Sequence, residues 1–305
     1  MNCKILTLII GAVMLLPLPA SAALRVFACE PEWAALVSEL AGNLVKIDTA
    51  TQPQQDPHYV QARPSLIAKI RRADLLVCTG AGIEEGWLPV LLRKGNNRRI
   101  LAGQPGHLMV SDSVQLKEKP LKLDRSEGDV HSAGNPHIQT DPRNMLPIAE
   151  SITARLTKLD PDNAYTYKVN LAVFRDNWQI AIQQWEQKAL PVEGKPLVVY
   201  HRSWIYLQDW LGLKEVAALE PKPGIPPGSR YLAEVIDQTR AYPELAIVHS
   251  QYQESKAIKW FAEKSGAPVV LLPSTVGGSP AAGNLYGWYE DIIARLLTAY
   301  GADDE

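Results

Sequence analysis

From Asp160-Pro161 to about Leu190 the sequence keeps one helical period without a break, and that run limits what the rest can build. Tyr167, Leu171, Phe174, Trp178, Ala181 and Trp185 recur alternately four and three residues apart, which sets them on one stripe of a helix. Asp-Pro is a natural entry, because proline at the first helical position gives up an N–H that no carbonyl would have accepted. A helix of about 28 residues is roughly 42 Å long, enough to span two domains. The aromatic stripe reads as packing. Its mechanical meaning is a stiff connection between two lobes.

Both flanks alternate short β-like runs with helical patterns, the texture of α/β units on mostly parallel sheets. Before the helix, strands are expected at Leu24-Ala28, Leu44-Thr49, Asp74-Thr79 and Arg99-Ala102, with helices over Glu32-Ala41, Ser65-Arg72 and Glu85-Arg93. A polar stretch, Ser111-Gly134, reads as a long loop carrying His131, and Asp141-Pro142 opens the helical section. After the helix, strands are expected at Pro196-Tyr200, Glu215-Leu219, Leu245-His249 and Pro268-Leu272. The matching helices are Trp204-Trp210, Ser229-Arg240, Ser255-Lys264 and Leu285-Thr298. The expected fold is therefore α/β: two doubly wound lobes, residues 23–155 and 193–305, joined by one long rigid helix over 156–192. No residue-level repeat relates the halves.

Residues 1–22 read as a secretory signal. Lys4 supplies the positive start, Ile5 to Leu18 the apolar core, and Ala20-Ser21-Ala22 the cleavage site. The apolar stretch is short and broken by Pro17 and Pro19, so it does not span a membrane. Cys3 lies too early for a lipid acceptor. A soluble, monomeric periplasmic protein is expected, without membrane insertion. The formal net charge of −2 offers no electrostatic case for nucleic acid. Cys29 and Cys78 follow the cleavage site, each near the end of an expected strand, and those strands are commonly neighbours in a doubly wound sheet. They are either a disulfide, worth roughly 4 kcal/mol in the chain-entropy model, or two buried thiols.

Three histidines stand in turn-like settings. His58 lies in Asp56-Pro57-His58-Tyr59, His137 in Gly134-Asn135-Pro136-His137, and His201 at the end of the apolar run Leu197-Tyr200. Proline fixes φ and pushes the preceding residue into extended or turn backbone, so two of the three sit on stiff turns. Open α/β sheets bind ligands outside the carboxyl ends of their strands. Two histidines from the first lobe and one from the second therefore converge on the cleft between lobes. Neutral imidazole is the commonest protein ligand for zinc-like ions.

Several motifs occur together and in order: Asp56-Pro57-His58-Tyr59 with Arg63-Pro64-Ser65; Ala73-Asp74-Leu75-Leu76-Val77 with Gly80; Glu84-Glu85-Gly86-Trp87-Leu88; Asn135-Pro136-His137 with Asp141-Pro142-Arg143-Asn144; Tyr200-His201 with Tyr206-Leu207; and Glu220-Pro221. With these the chain resembles, over nearly its whole mature length, the periplasmic zinc/manganese solute-binding proteins of bacterial ABC importers, the ZnuA/TroA-like metal receptors. The resemblance implies two α/β lobes joined by a long helix. It makes His58, His137 and His201 the ligands of a transported ion, and an inner-membrane ABC permease the partner.

One position departs from the family. Where such receptors often add a carboxylate after a late second-lobe strand, this chain has Pro273-Ser274-Thr275. Water, a carboxylate, His131 or His249 remain as the fourth ligand, while His107 reads as a turn residue. A nitrogen donor set suits Zn²⁺ better than the oxygen-seeking Mn²⁺. Asp56, Asn135 and Glu220 are plausible partners to orient the rings. No His-Glu-x-x-His helix is present, so a zinc hydrolase is disfavoured and no catalytic residue is assigned. A periplasmic metal buffer or chaperone without an importer would carry the same ligands.

Overall fold

The structure is a computed structural model and describes residues 23–120, 131–253 and 255–302. The expected leader, residues 1–22, and Asp129-Val130 beside His131 lie outside the described residues.

The first lobe runs β1 (Leu24–Ala28), α1 (Pro31–Ala41), β2 (Val45–Thr49), α2 (Pro64–Arg72), β3 (Leu75–Cys78), α3 (Leu88–Gly95), β4 (His107–Met109) and α4 (Met145–Leu159). The helix α5 (Ala164–Ala189) follows. The second lobe runs β5 (Pro196–Val199), α6 (Ile205–Leu211), β6 (Lys214–Ala218), α7 (Ser229–Thr239), β7 (Ala246–His249), α8 (Ser255–Ser265), β8 (Val269–Leu271) and α9 (Leu285–Ala299). Every pairing between these strands is parallel, and the orders β2-β1-β3-β4 and β6-β5-β7-β8 are equivalent in the two lobes.

Side-chain alternation along the central strands explains the layering. Val26, Ala28, Leu75 and Val77 face α1, α4 and α5, while Phe27, Cys29, Leu76 and Cys78 face α2 and α3. In the second lobe Leu197, Val199, Ala246 and Val248 join the α5 side, and Val198, Tyr200 and Ile247 pack under α7 and α8. Sheets covered on both faces need such near-continuous apolar strands. The inner layers of both lobes merge along α5 into one core. There Trp178 stacks on Phe174 at 5.1 Å between ring centroids and meets Tyr286 and Tyr289 edge-on.

Two expectations are corrected. The fourth strand of the first sheet is His107–Met109, not Arg99-Ala102; Arg98–Ile100 is a 3-10 turn. The Asn97 side chain accepts from Arg99 N at 3.1 Å and donates to Ile70 O and Ala73 O, which closes that turn. Gly106 then lets the chain press against β3, because a Cβ there would lie 2.3 Å from Asp74 O. His107, expected in a turn, becomes the first residue of β4. The long helix also starts later than residue 156. Leu156 to Leu159 end α4, Asp160 turns the chain, and α5 begins at Ala164 after a 3-10 turn over Pro161–Asn163. Pro161 has no N–H for the α4 ladder and disfavours helical backbone at Asp160.

Polar bonds join the lobes where α5 does not. The Tyr206 hydroxyl accepts from Lys117 N at 2.9 Å and donates to Asn135 O at 2.7 Å, and Tyr289 donates to Gln139 O at 2.6 Å. Asp209 pairs with Lys117 and Arg143. Glu32, 1% exposed, accepts from the Thr275 hydroxyl of the opposite lobe. Burial pushes Glu32 from the ordinary value of 4.5 up to about 7, with the Thr275 bond working against that rise. An acid whose pKa is raised by folding contributes its full stability below about pH 4.5 and loses it as pH climbs through about 7. Glu32→Gln is therefore expected to unfold like the parent at pH 4, yet to be more stable at pH 8 by on the order of 1 kcal/mol or more. Thermal melts of the metal-free protein at both pH values check this; equal melts at pH 8 refute it.

Candidate metal site

His58 leaves the loop after β2. Asp56 Oδ1 accepts from His58 N at 2.9 Å and meets its Nδ1 at 2.7 Å, while Trp87 Nε1 donates to Pro57 O at 2.8 Å and pins the turn. His201 follows β5, with its Nδ1 2.7 Å from Glu220 Oε2, itself held by Gly224 N at 3.1 Å. Both rings thus have Nδ1 occupied by a carboxylate and present Nε2. A carboxylate on the remote nitrogen fixes the tautomer and raises the basicity of the other.

His137 is different. Its backbone N donates to Asn135 Oδ1 at 3.0 Å, so Asn135 shapes the turn rather than the ring, while Asn135 Nδ2 reaches Arg202 O. The His137 side chain is 2% exposed, and among the described residues its Nε2 has no hydrogen-bond partner. Burial holds its pKa well below the usual imidazole value, and His201, His58 and His131 push the same way. Burial thus favours the uncharged ring and leaves Nε2 a buried polar atom without a partner among the described residues. Such an atom costs about 1–3 kcal/mol until something pairs with it.

The three histidines come together as expected. One ring nitrogen from each falls within 4.8 Å of the others, and ring centroids lie 5.5 Å (His58–His137), 5.9 Å (His58–His201) and 5.5 Å (His137–His201) apart. Tetrahedral zinc with N at about 2.0–2.1 Å needs its nitrogens some 3.3 Å apart, so only a small contraction separates this arrangement from a coordination sphere. The donors present therefore fit the ion.

His131 lies beside the trio, with Nε2 3.3 Å from His58 Nε2 and its ring 6.5 Å from that of His137. Gly82 makes room for it, since a Cβ there would sit 3.1 Å from His131 Nδ1. His249 is elsewhere, its Nδ1 3.0 Å from Ser250 O. Pro273 accepts Trp288 Nε1 at 2.7 Å, and the loop it begins serves the Glu32–Thr275 contact. A cavity of about 420 Å³ bounded by His131, His137, His201, Glu118 and Arg202 opens on the site, and a smaller one of about 170 Å³ lies on the Asp56 and His58 side. No helix among the described residues is long and apolar enough to cross a membrane.

Cys29 and Cys78, left open between bridge and thiols, form a disulfide with Cα atoms 4.7 Å apart. Sequence reasoning missed the buried acids Glu30, Glu32 and Glu84. Glu30-Pro31-Glu32 looks like an ordinary acidic helix start, and only the packing of the second lobe and β3 against the carboxyl end of β1 buries it.

Comparison with known proteins identifies the fold and the family. Relatives include the high-affinity zinc uptake system protein ZnuA of Paracoccus denitrificans, 26% identical over 94% of this chain and 95% of its own length. The iron-binding protein YfeA of Yersinia pestis is 25% identical over 76% of this chain and 71% of its own. Among solved structures, a zinc-bound deletion mutant of ZnuA superposes with a TM-score of 0.76 at 23% identity, covering 93% of this chain and 99% of that one. The Mn-bound periplasmic metal binding protein from candidatus liberibacter asiaticus gives 0.73 at 20% identity, with 91% and 99% covered. Both structures share the fold. Residues 26–299 match the family described as ZnuA, zinc-uptake complex component A periplasmic, and the chain belongs to that family.

Proposed function

We propose that this protein is an extracytoplasmic receptor that captures Zn²⁺ with His58, His137 and His201 between its lobes and hands it to an ABC-type permease. The observation that carries the reading is the unsatisfied, buried Nε2 of His137 facing two rings whose Nδ1 atoms are already held. His131 is the residue best placed to add a fourth nitrogen. An all-nitrogen set favours Zn²⁺ over Mn²⁺. Asp56 and Glu220, the carboxylates that meet two of the three rings, are both committed to ring nitrogens, which supports binding without turnover. The lobes on either side of α5 act as a monomer, and a leader cleaved after Ala22 exports the protein to the periplasm.

Equilibrium titration of metal-free mature protein is expected to show one tightly bound Zn²⁺ per chain, retained against excess Mn²⁺. Preference for Mn²⁺ in that competition would overturn the assignment of the cargo.

A further inference from the structure

Cys29 follows β1 and Cys78 ends β3, on neighbouring parallel strands. Glu84 sits with them: its carboxylate oxygen and the two sulfurs fall within 4.8 Å of one another. Both cysteines are 0% exposed and Glu84 is 3% exposed. Glu84 accepts from Gly80 N at 3.0 and 3.2 Å. Glu30, next to Cys29, brings a second carboxyl. Its Oε2 accepts from Thr79 N and from the Thr79 hydroxyl, and its side chain, only 3% exposed, meets that of Glu84. Two sulfurs and two carboxyls thus share one dry spot beside the Gly80-Ala81-Gly82 turn, whose Gly80 N bonds Glu84 and whose Gly82 makes room for His131. Burial raises both acids, Glu84 to about 7, as expected where no cation offsets their charge.

We propose that reduction of the Cys29–Cys78 disulfide opens a second metal site made of both thiolates and Glu84, with Glu30 beside them. A dithiol reductant supplies two electrons and two protons. The S–S bond breaks, two S–H bonds form, and the reductant leaves as its own disulfide. A divalent ion then displaces both thiol protons and any proton on Glu84, forming two metal–sulfur bonds and one metal–oxygen bond. Two thiolates cancel the charge of the ion, and the Gly80 N–H bond that Glu84 already accepts offsets the one negative charge its carboxylate leaves, so the assembly tolerates burial better than a bare carboxylate does. Thiolates also attract Zn²⁺ more strongly than harder donors do. The disulfide has no such ligand to offer. Its function is then to hold the chain to one ion, in the groove from which cargo can leave, instead of allowing a second to lodge beneath the Gly80-Ala81-Gly82 turn. This inference is independent of the histidine site.

Anaerobic Co²⁺ titration of the mature chain, prepared with the disulfide intact and with it reduced, tests the proposal. The oxidised chain is expected to hold one Co²⁺ without thiolate charge-transfer absorption. The reduced chain is expected to hold two, the second with an intense near-ultraviolet sulfur-to-cobalt band. That band persists in the reduced His58→Ala, His137→Ala, His201→Ala variant, and in Glu84→Gln the second ion binds at least about tenfold more weakly. A reduced chain that takes one Co²⁺ and shows no band overturns the site, as does one that unfolds and is not restored by two equivalents. A band of unchanged affinity in Glu84→Gln removes Glu84 from it.

Discussion

Alanine at His58, His137 and His201 together is expected to abolish zinc binding, and His137→Ala alone to weaken it by more than about a hundredfold. Loss of a residue that merely orients a metal ligand costs up to about a hundredfold, and loss of the ligand itself exceeds that. His137 is the most informative of the three, because its two roles separate. Its Nε2 stabilises nothing in the metal-free chain, where it is buried and unpartnered. The alanine variant without metal should melt within about 1 kcal/mol of the parent, since the vacated volume and the removed unsatisfied nitrogen act in opposite directions. Affinity measured by competition with a chromophoric chelator, beside melts of both metal-free proteins, checks the pair. Tight binding surviving in the triple variant would sink the site. A large fall in the stability of metal-free His137→Ala would show that the ring is part of the core rather than a ligand. Acid also acts on this ring, through the stability of the fold. Because burial lowers the His137 pKa, the folded chain resists protonation there, and stability is lost as pH falls below the ordinary histidine value of 6.5.

Serine at both Cys29 and Cys78 is expected to lower stability by about 4 kcal/mol. The bridge spans 49 residues of sequence, so its removal frees a long loop in the unfolded chain. Two hydroxyls placed in a fully buried pocket add to the loss. Denaturant melts of metal-free protein, oxidised against doubly substituted, measure the difference, and a change below about 1 kcal/mol would mean that the unfolded chain is already compact across this loop. The same substitution should leave one Zn²⁺ bound at the histidines, because β2 and β5, which precede His58 and His201, do not carry the bridge.

The parts of this structure that were legible from sequence are those where local chemistry and global fold agree. Asp56-Pro57-His58 and Asn135-Pro136-His137 each carry a side chain that bonds the histidine backbone N two residues on, so the turns are built locally and could be read locally. The aromatic stripe of α5 announced itself by period alone. Arg99-Ala102 misled because an apolar pair beside arginines resembles an edge strand. What decides the strand is the contact of Gly106 with Asp74, which no short window around residue 100 contains. Glu32 and Thr275 illustrate the same limit at greater range. They are 243 residues apart, and nothing near either one foretells a buried acid meeting a hydroxyl across the cleft. His131 fell between these cases: its proximity to His137 in sequence made it a candidate, and its position against His58 comes from Gly82, which only the folded turn brings near.

Because the two inner cores meet along α5, neither half owns its interior. Trp178 leans on residues 286 and 289 from the far end of the chain and sends its indole N–H to Pro142 O, 36 residues earlier. A fragment cut on either side of this helix would leave a wall of indole and phenol rings facing water. Such a molecule has two lids but one keel, and its halves stand or fall together.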